Sequence, residues 1–556
     1  MASTTSGSAK AALSAGMGFV VAASTAGTTF EWYDFFVFVP LAGILAKFFF
    51  AGLNDAAAYV FALGSFAVGF AFRPVGALIF GRLGDRIGRK GAFMITILMM
   101  GGATFGVGLL PGYTQVGLAA PLAFILLRII QGIALGGEWG GAAVYIAEHS
   151  PRTQRGLMTS WIGAAAAFGL LGALVVTLVT RKSLGETAFA AWGWRIPFLI
   201  SVFLVGASAY FRLKLAESPA FVKMQASGQR SNQPYVDSFL KWPSLKLVLI
   251  ALFGVMVAQG AVWYCTFFYA QAFLEKTLKM APDSVNGIMI ALVVLSAPLY
   301  ILFGWLSDRI GRKTVMIAGM LLFTLAAWPG FHLLAKAANP GLTAASAASP
   351  VTVVASPADC SLQFDPVGKA QFKTSCDILK STLTESGVGY RNQASEAGTL
   401  AYATVGNARV ASADGRGLAA PALKTLKAGV SGKLKAALTA AGYPAKADPA
   451  KVNTVLIFAI LFTLATGACA LYGPQAACLV ELFPTRVRYT ALSLPYHIGT
   501  GWVGGFLPTT AYAMAVGSGN LFQGVWYPIV GASISILVAL LFLPETKGRD
   551  LDTMGA

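Results

Sequence analysis

Charge is scarce in this chain. Only 12% of its 556 residues are Asp, Glu, Lys or Arg, against 56% that are hydrophobic, where a soluble protein is about a quarter charged. Histidine is rarer still, with three, and the five cysteines form no CxxC pair. Zinc and redox motifs therefore have no support, and neither a metal nor a cofactor is expected. No HExxH, no GxSxG and no GxxxxGK followed by Ser or Thr occurs, so an enzyme is not expected, nor a nucleotide-driven pump. Residues 1–16 hold a single basic residue, Lys10, and no short apolar core ending in a small-residue cleavage site, so no cleaved leader is expected.

Long apolar runs fill the space that charge leaves. Taking about 20 apolar residues as one membrane crossing, twelve spans are read near 17–47, 57–80, 91–110, 118–147, 157–180, 194–213, 245–275, 284–306, 314–337, 453–480, 490–515 and 522–543. The excess of 18 positive charges falls in short clusters between these runs, which argues against a nucleic-acid partner and for an orienting role. Arg82, Arg86, Arg89 and Lys90 follow span 2; Arg152 and Arg155 follow span 4; Arg212, Lys214, Lys223, Arg230, Lys241 and Lys246 follow span 6. Arg309, Arg312 and Lys313, then Arg486 and Arg488, then Lys547 and Arg549 repeat the pattern. All lie on one face, expected to be cytoplasmic together with both termini.

The two halves are duplicates. GRLGDRIGRK at 81–90 matches GWLSDRIGRK at 304–313 in eight of ten positions, an offset of 304 − 81 = 223. Glu148 and Glu481 form a looser pair 333 apart, and Glu217 and Glu545 one 328 apart. The excess of about 105 to 110 residues places an insertion between Lys313 and Glu481, and the Ala-, Ser-, Thr- and Lys-rich composition locates it at 338–450. The expected organisation is a tail (1–16), a six-helix bundle (17–213), a linker (214–244), helices 7–9 (245–337), an extracytoplasmic cap (338–450), helices 10–12 (451–545) and a second tail (546–556). The fold class is thus all-α and integral to the membrane. Stretches such as PALKTLKAGVSGKLKAAL read as helix, so the cap is expected to be folded. Cys360 and Cys376 lie in it, in a compartment where disulfides persist, and are either bridged or two free thiols.

With these motifs in place, the chain resembles the major facilitator superfamily. FEWYDFFVF in span 1, FRPVGALIFGRLGDRIGRK from span 2, RIIQGIALGGEWGGAAVYIAEHSPRTQRG from span 4, WGWRIPF before span 6 and ESPAF after it resemble its metabolite:proton symporter family. That resemblance implies a proton-coupled importer of a small organic solute, working as a monomer in a bacterial inner membrane. The insertion resembles that of haloacid or short-chain monocarboxylate permeases, so the substrate expected first is a small organic anion. The alternatives are a di- or tricarboxylate and a zwitterionic osmolyte such as proline or betaine, whose branch commonly carries a C-terminal coiled coil that this sequence does not show. A transporter-like sensor is the remaining reading.

Charge inside the spans costs about 2.5–3.5 kcal/mol per residue at the bilayer centre, so it is paired, solvated or functional. Five such residues stand in the first half: Glu31, Asp34, Arg73, Arg128 and Glu138. Glu31 and Asp34 share a helix face; Asp34 is read as the proton carrier, and Glu31 as a counter-charge to Arg73 or Arg128. Glu138 is a partner or a second carrier. Arg73 and Arg128 are candidates for a bound carboxylate, and Arg128 is also either a static counter-ion or, by the resemblance, part of proton coupling. In the second half the candidate substrate residues are Gln259, Tyr264, Tyr472, Gln475 and His497. His497, where many members of the family have asparagine, either titrates or makes a hydrogen-bonded helix contact. The resemblance assigns gating to the repeated loops, through Gly81, Asp85, Arg86, Gly88 and Arg89 in one half and Asp308, Arg309, Gly311 and Arg312 in the other.

Overall fold

The computed structural model describes residues 4–51, 55–214, 217–228, 231–364 and 371–551. Among the described residues, nine helices are long and apolar enough to cross a membrane, and a tenth crossing is the bent pair Gly16–Phe36 and Pro40–Phe49, which meet at 50°. Spans 2 and 11 complete the twelve. The first is Asp55–Ile87, which carries Arg73, Arg82, Asp85 and Arg86; the second is Arg488–His497, a π-helical stretch Ile498–Gly504, and Leu507–Ser518. These charges of span 2 come after the apolar run 57–72, and span 11 is interrupted by a turn at 505–506.

Glycine explains how these helices approach. A Cβ on Gly76 would come within 1.9 Å of the Ile133 carbonyl oxygen, and one on Gly136 within 2.2 Å of the Arg73 carbonyl oxygen. Spans 2 and 4 are therefore in backbone contact around Arg73, as small residues permit in membranes. Span 7, Trp242–Thr277, contains π-helical turns at Leu252–Met256, Cys265–Tyr269 and Phe273–Thr277, and Gly260 meets the Gly499 carbonyl of span 11.

The insertion holds more than helix. Strands β1 (Val351–Ala355), β2 (Tyr390–Ala394), β3 (Tyr402–Val405) and β4 (Ala408–Ala411) form one sheet in the order β2–β1–β3–β4. β1 pairs in parallel with β2 and antiparallel with β3. The parallel pair needs a crossover, supplied by helix Ser375–Glu385, while the lysine-rich segment forms helix Ala420–Ala440. Short strands with little alternation, such as YRNQA of β2, buried at Tyr390 and exposed over the other four residues, give no period-two signal.

This unit sits on the face opposite the repeated loops and is bonded to the second half. Tyr390 N donates to Gly519 O at 2.8 Å, Asn339 Nδ2 to Leu278 O at 3.0 Å and Ala447 N to Lys279 O at 3.0 Å. It is thereby tied to the far ends of spans 7, 9 and 11. Cys360 and Cys376 are disulfide-bonded, with Cα atoms 5.2 Å apart.

Candidate transport site and gates

Span 1 turns both of its acids toward span 6, Gly193–Leu213. Asp34, 2% exposed, accepts a hydrogen bond from Ser201 Oγ and has no cation at ion-pair distance among the described residues. Glu31 lies 3.8 Å from Arg212 Nη1. The same guanidinium donates to Glu138, once at 3.2 Å and once more closely, and Glu138 also accepts from Thr96 Oγ1 at 3.0 Å. The counter-charge of Glu31 and Glu138 is therefore Arg212, not Arg73 or Arg128. Read as a loop residue after span 6, Arg212 is instead 1% exposed inside that span. Its place at the end of an apolar run, beside the exposed Lys214, concealed this.

Arg73 and Arg128 do not form one site. Arg128 donates to Gln131 Oε1 at 2.7 Å and lies 3.7 Å above the Phe38 ring. Phe35 and Phe70, with ring centres 5.0 Å apart, stand between the two arginines: Arg128 is 5.2 Å from the Phe35 ring and Arg73 5.4 Å from the Phe70 ring.

Arg73 faces the other half. Its Nε donates to His497 Nδ1 at 3.2 Å, which makes His497 an acceptor there and a neutral hydrogen-bonded helix contact. The two Nη groups of Arg73 have no hydrogen-bond partner among the described residues. Around it stand Trp32, 5.8 Å from the guanidinium carbon, and Tyr264, whose ring is 5.7 Å from Phe70. Tyr472 meets Tyr496 hydroxyl to hydroxyl at 3.1 Å, and Tyr496 stacks on Trp139 at 3.6 Å. Gln259 and Gln475 are buried with their side-chain carbonyl oxygens unpartnered, and Gln475 Nε2 touches Met256 Sδ at 3.2 Å. Trp32, Trp139 and Tyr496 were not singled out in the sequence, where aromatic residues in apolar helices look alike.

The repeated loops seal one face, each acid reaching across to the other half. Asp85 accepts from Thr490 N at 2.8 Å, Thr490 Oγ1 at 2.7 Å and Tyr489 N at 3.3 Å, at the start of span 11. Asp308 accepts from Gly156 N at 2.9 Å and Leu157 N at 2.8 Å, at the start of span 5, Arg155–Leu184. Each aspartate thus caps a helix of the opposite half, where free N–H groups and the helix dipole favour an anion. Arg89 and Arg312 brace these acids, and Arg89 Nη2 also crosses to Thr485 O at 3.0 Å. Two cross-half ion pairs flank them, Arg488–Glu148 at 2.6 Å and Arg155–Glu481 at 2.9 Å.

The glycines of the motif have a backbone reason. Gly88 and Gly311 take φ of 118° and 108°, which side-chain-bearing residues rarely adopt, and a Cβ on either would collide with Glu217 or Glu545. A Cβ on Gly81 would meet Thr490 Cα at 2.8 Å. Arg86 is half-buried at the end of span 2, while Arg309 lies over the Trp305 ring.

Asp85→Ala removes three cross-half hydrogen bonds, each contributing about 1 kcal/mol or more. A cysteine placed at Ser493, which is buried against Gly140 of the other half, should then react with a maleimide at least tenfold faster. An unchanged rate would show that Asp85 does not hold this face closed.

A duplicated twelve-helix bundle, with a polar site between its halves and cross-half caps on one face, is the architecture of a secondary transporter. The chain belongs to the sugar (and other) transporter family, whose model matches residues 19–233 and 424–556. It is 34% identical over 544 residues to the glycine betaine/proline/ectoine/pipecolic acid transporter OusA of Dickeya dadantii (strain 3937), covering 96% of this chain and 84% of that protein. It is 35% identical over 324 residues to the proline/betaine transporter of Escherichia coli (strain K12), covering 56% of this chain and 64% of that one. The shikimate transporter of the same organism is 35% identical over 315 residues, or 56% of this chain and 71% of that protein. In fold, the chain resembles a double-Trp mutant of XylE, with a TM-score of 0.65, 17% identity and coverage of 97% of this chain and 98% of that one. These relatives carry osmolyte and shikimate names, and none carries the haloacid permease name suggested by the insertion.

Proposed function

We propose that the chain is a proton-coupled importer of a small zwitterionic solute of the proline or betaine class, working by alternating access between its two halves. The observation that carries this reading is Arg73. It offers two unpartnered Nη groups in a setting of aromatic rings. The guanidinium suits one carboxylate, and ring faces such as those of Trp32 and Tyr264 suit a quaternary or secondary ammonium. A di- or tricarboxylate needs a second cation, and Arg128 is held behind the Phe35–Phe70 pair. The osmolyte names of relatives matched over most of their length support the same choice.

In this reading the basic loops face the cytoplasm, both termini lie on that side, and the insertion faces outward. The protein is a monomer of a bacterial inner membrane, since one chain supplies both halves of the path. Asp34 carries the proton, with Glu31, Glu138 and Arg212 as the charge set beside it; Gln259, Tyr264, Tyr472, Gln475 and His497 complete the solute site.

Proteoliposome uptake of labelled proline, glycine betaine, acetate, chloroacetate, citrate and 2-oxoglutarate, with and without an inward proton gradient, tests this. Proline or betaine should accumulate up to about tenfold per coupled proton under one unit of pH difference, since a tenfold ratio corresponds to about 1.4 kcal/mol. Preference for acetate or chloroacetate would restore the monocarboxylate reading, and indifference to the gradient would remove coupling.

A further inference from the structure

The insertion carries an open groove of about 510 Å³ that the transport path does not use. It lies between the sheet and the outer end of span 11, and its lining includes Ser361, Lys380, Asn392, Gln393, Val516 and Gly517. Such a volume is within the usual range for small-molecule sites, about 300–1,000 Å³.

Lys380 is the unusual member. It is 9% exposed overall, with the stem covered and the ammonium at its tip accessible from the groove. That ammonium makes no hydrogen bond or ion pair with any described residue. Burial holds it below the ordinary lysine value, and Asp377 one turn earlier offsets only part of this. Asp377 is already occupied, accepting from Ser361 N at 2.8 Å and Ser361 Oγ at 2.5 Å. The Cys360–Cys376 bridge stands beside both partners of that contact and so holds Ser361 on Asp377 and away from Lys380. Across the groove, Asn392 Nδ2 is bound to Ser518 O at 3.0 Å, which leaves its side-chain carbonyl toward other donors.

We infer that this groove is a second solute site, in which Lys380 binds the carboxylate of a small monocarboxylate or zwitterion. One ammonium balances one negative charge, so a carboxylate suits it and a phosphate dianion does not. The Asn392 carbonyl and the Gln393 amide offer hydrogen bonds to the rest of the solute. A solute bound there touches both the insertion and span 11, whose other end carries the cap to Asp85. The site is additional to the one at Arg73 and takes from that reading only the choice of probes.

The test uses the purified full chain in detergent. Lys380 acylation by an amine-reactive ester is followed by peptide mass spectrometry with glycine betaine, proline, acetate or inorganic phosphate present. A carboxylate solute should slow acylation of Lys380 at least threefold while leaving the exposed Lys424 and Lys433 unchanged. Equilibrium binding of the protecting solute gives a second measure, in which Arg73→Ala retains binding and Arg73→Ala with Lys380→Met loses it. No protection by any solute, protection by phosphate alone, or binding that survives both substitutions overturns the inference. Failure of the transport reading shows separately, as loss of gradient-driven uptake while protection of Lys380 persists.

Discussion

Replacing Arg73 by alanine should raise the KM for the transported solute at least a hundredfold, with little change in the amount of folded protein. Arg73 is fully buried and anchored through Nε to His497, and its remaining donors are unpartnered. Hydrogen bonds to charged groups contribute about 1.5–3 kcal/mol each. Losing two costs about 3–6 kcal/mol, which is on the order of a hundredfold to more than ten-thousandfold in binding. Arg73→Lys keeps the charge but loses the paired donors and the His497 bond, so it should recover only part of the affinity. Initial uptake rates across a range of solute concentrations measure both. A KM within threefold of the parent in Arg73→Ala would remove Arg73 from the solute site.

Asp34→Asn should abolish accumulation against a gradient while leaving solute exchange intact. Among the buried acids of the first half, Glu31 and Glu138 share Arg212, Asp85 has Arg89 and Glu148 has Arg488. Asp34 has, among the described residues, the Ser201 hydroxyl and no cation. A buried charge without a counter-ion is strongly disfavoured, so Asp34 is the acid whose charge a proton must cancel. Asparagine fits the same space and still accepts from Ser201 through its amide oxygen, so the fold is preserved and only proton exchange is lost. Glu31→Gln leaves Arg212 paired with Glu138 and should still accumulate solute. Uptake and counterflow in the same proteoliposomes separate coupling from binding. Accumulation that survives Asp34→Asn but not Glu31→Gln would move the proton to Glu31.

Substrate class was the poorest reading from sequence, for a physical reason. The 338–450 insertion drew attention to haloacid-type permeases, but it docks on the ends of spans 7, 9 and 11 opposite the repeated loops and does not reach Arg73. A segment remote from the solute carries no information about it. The sheet of the insertion was also missed, because its strands are four or five residues long and their pairing depends on segments far along the chain.

Some features were determined by the sequence alone. Twelve apolar runs, the duplication seen in GRLGDRIGRK and GWLSDRIGRK, the position of the insertion and the presence of acid in span 1 are all local or repetitive signals. Hydropathy acts on each segment by itself, so it can be read without the fold. Partner choice cannot be read that way. Arg73 meets His497 across 424 positions, Asp85 caps Thr490 across 405 and Arg212 meets Glu138 across 74. Each contact depends on how helices are rotated and how closely glycine lets them pack. Only the tertiary structure decided that Arg212, counted with the loops, lies at the centre of the buried charges, and that Arg73 meets His497 of the other half with its two Nη groups unpartnered among the described residues.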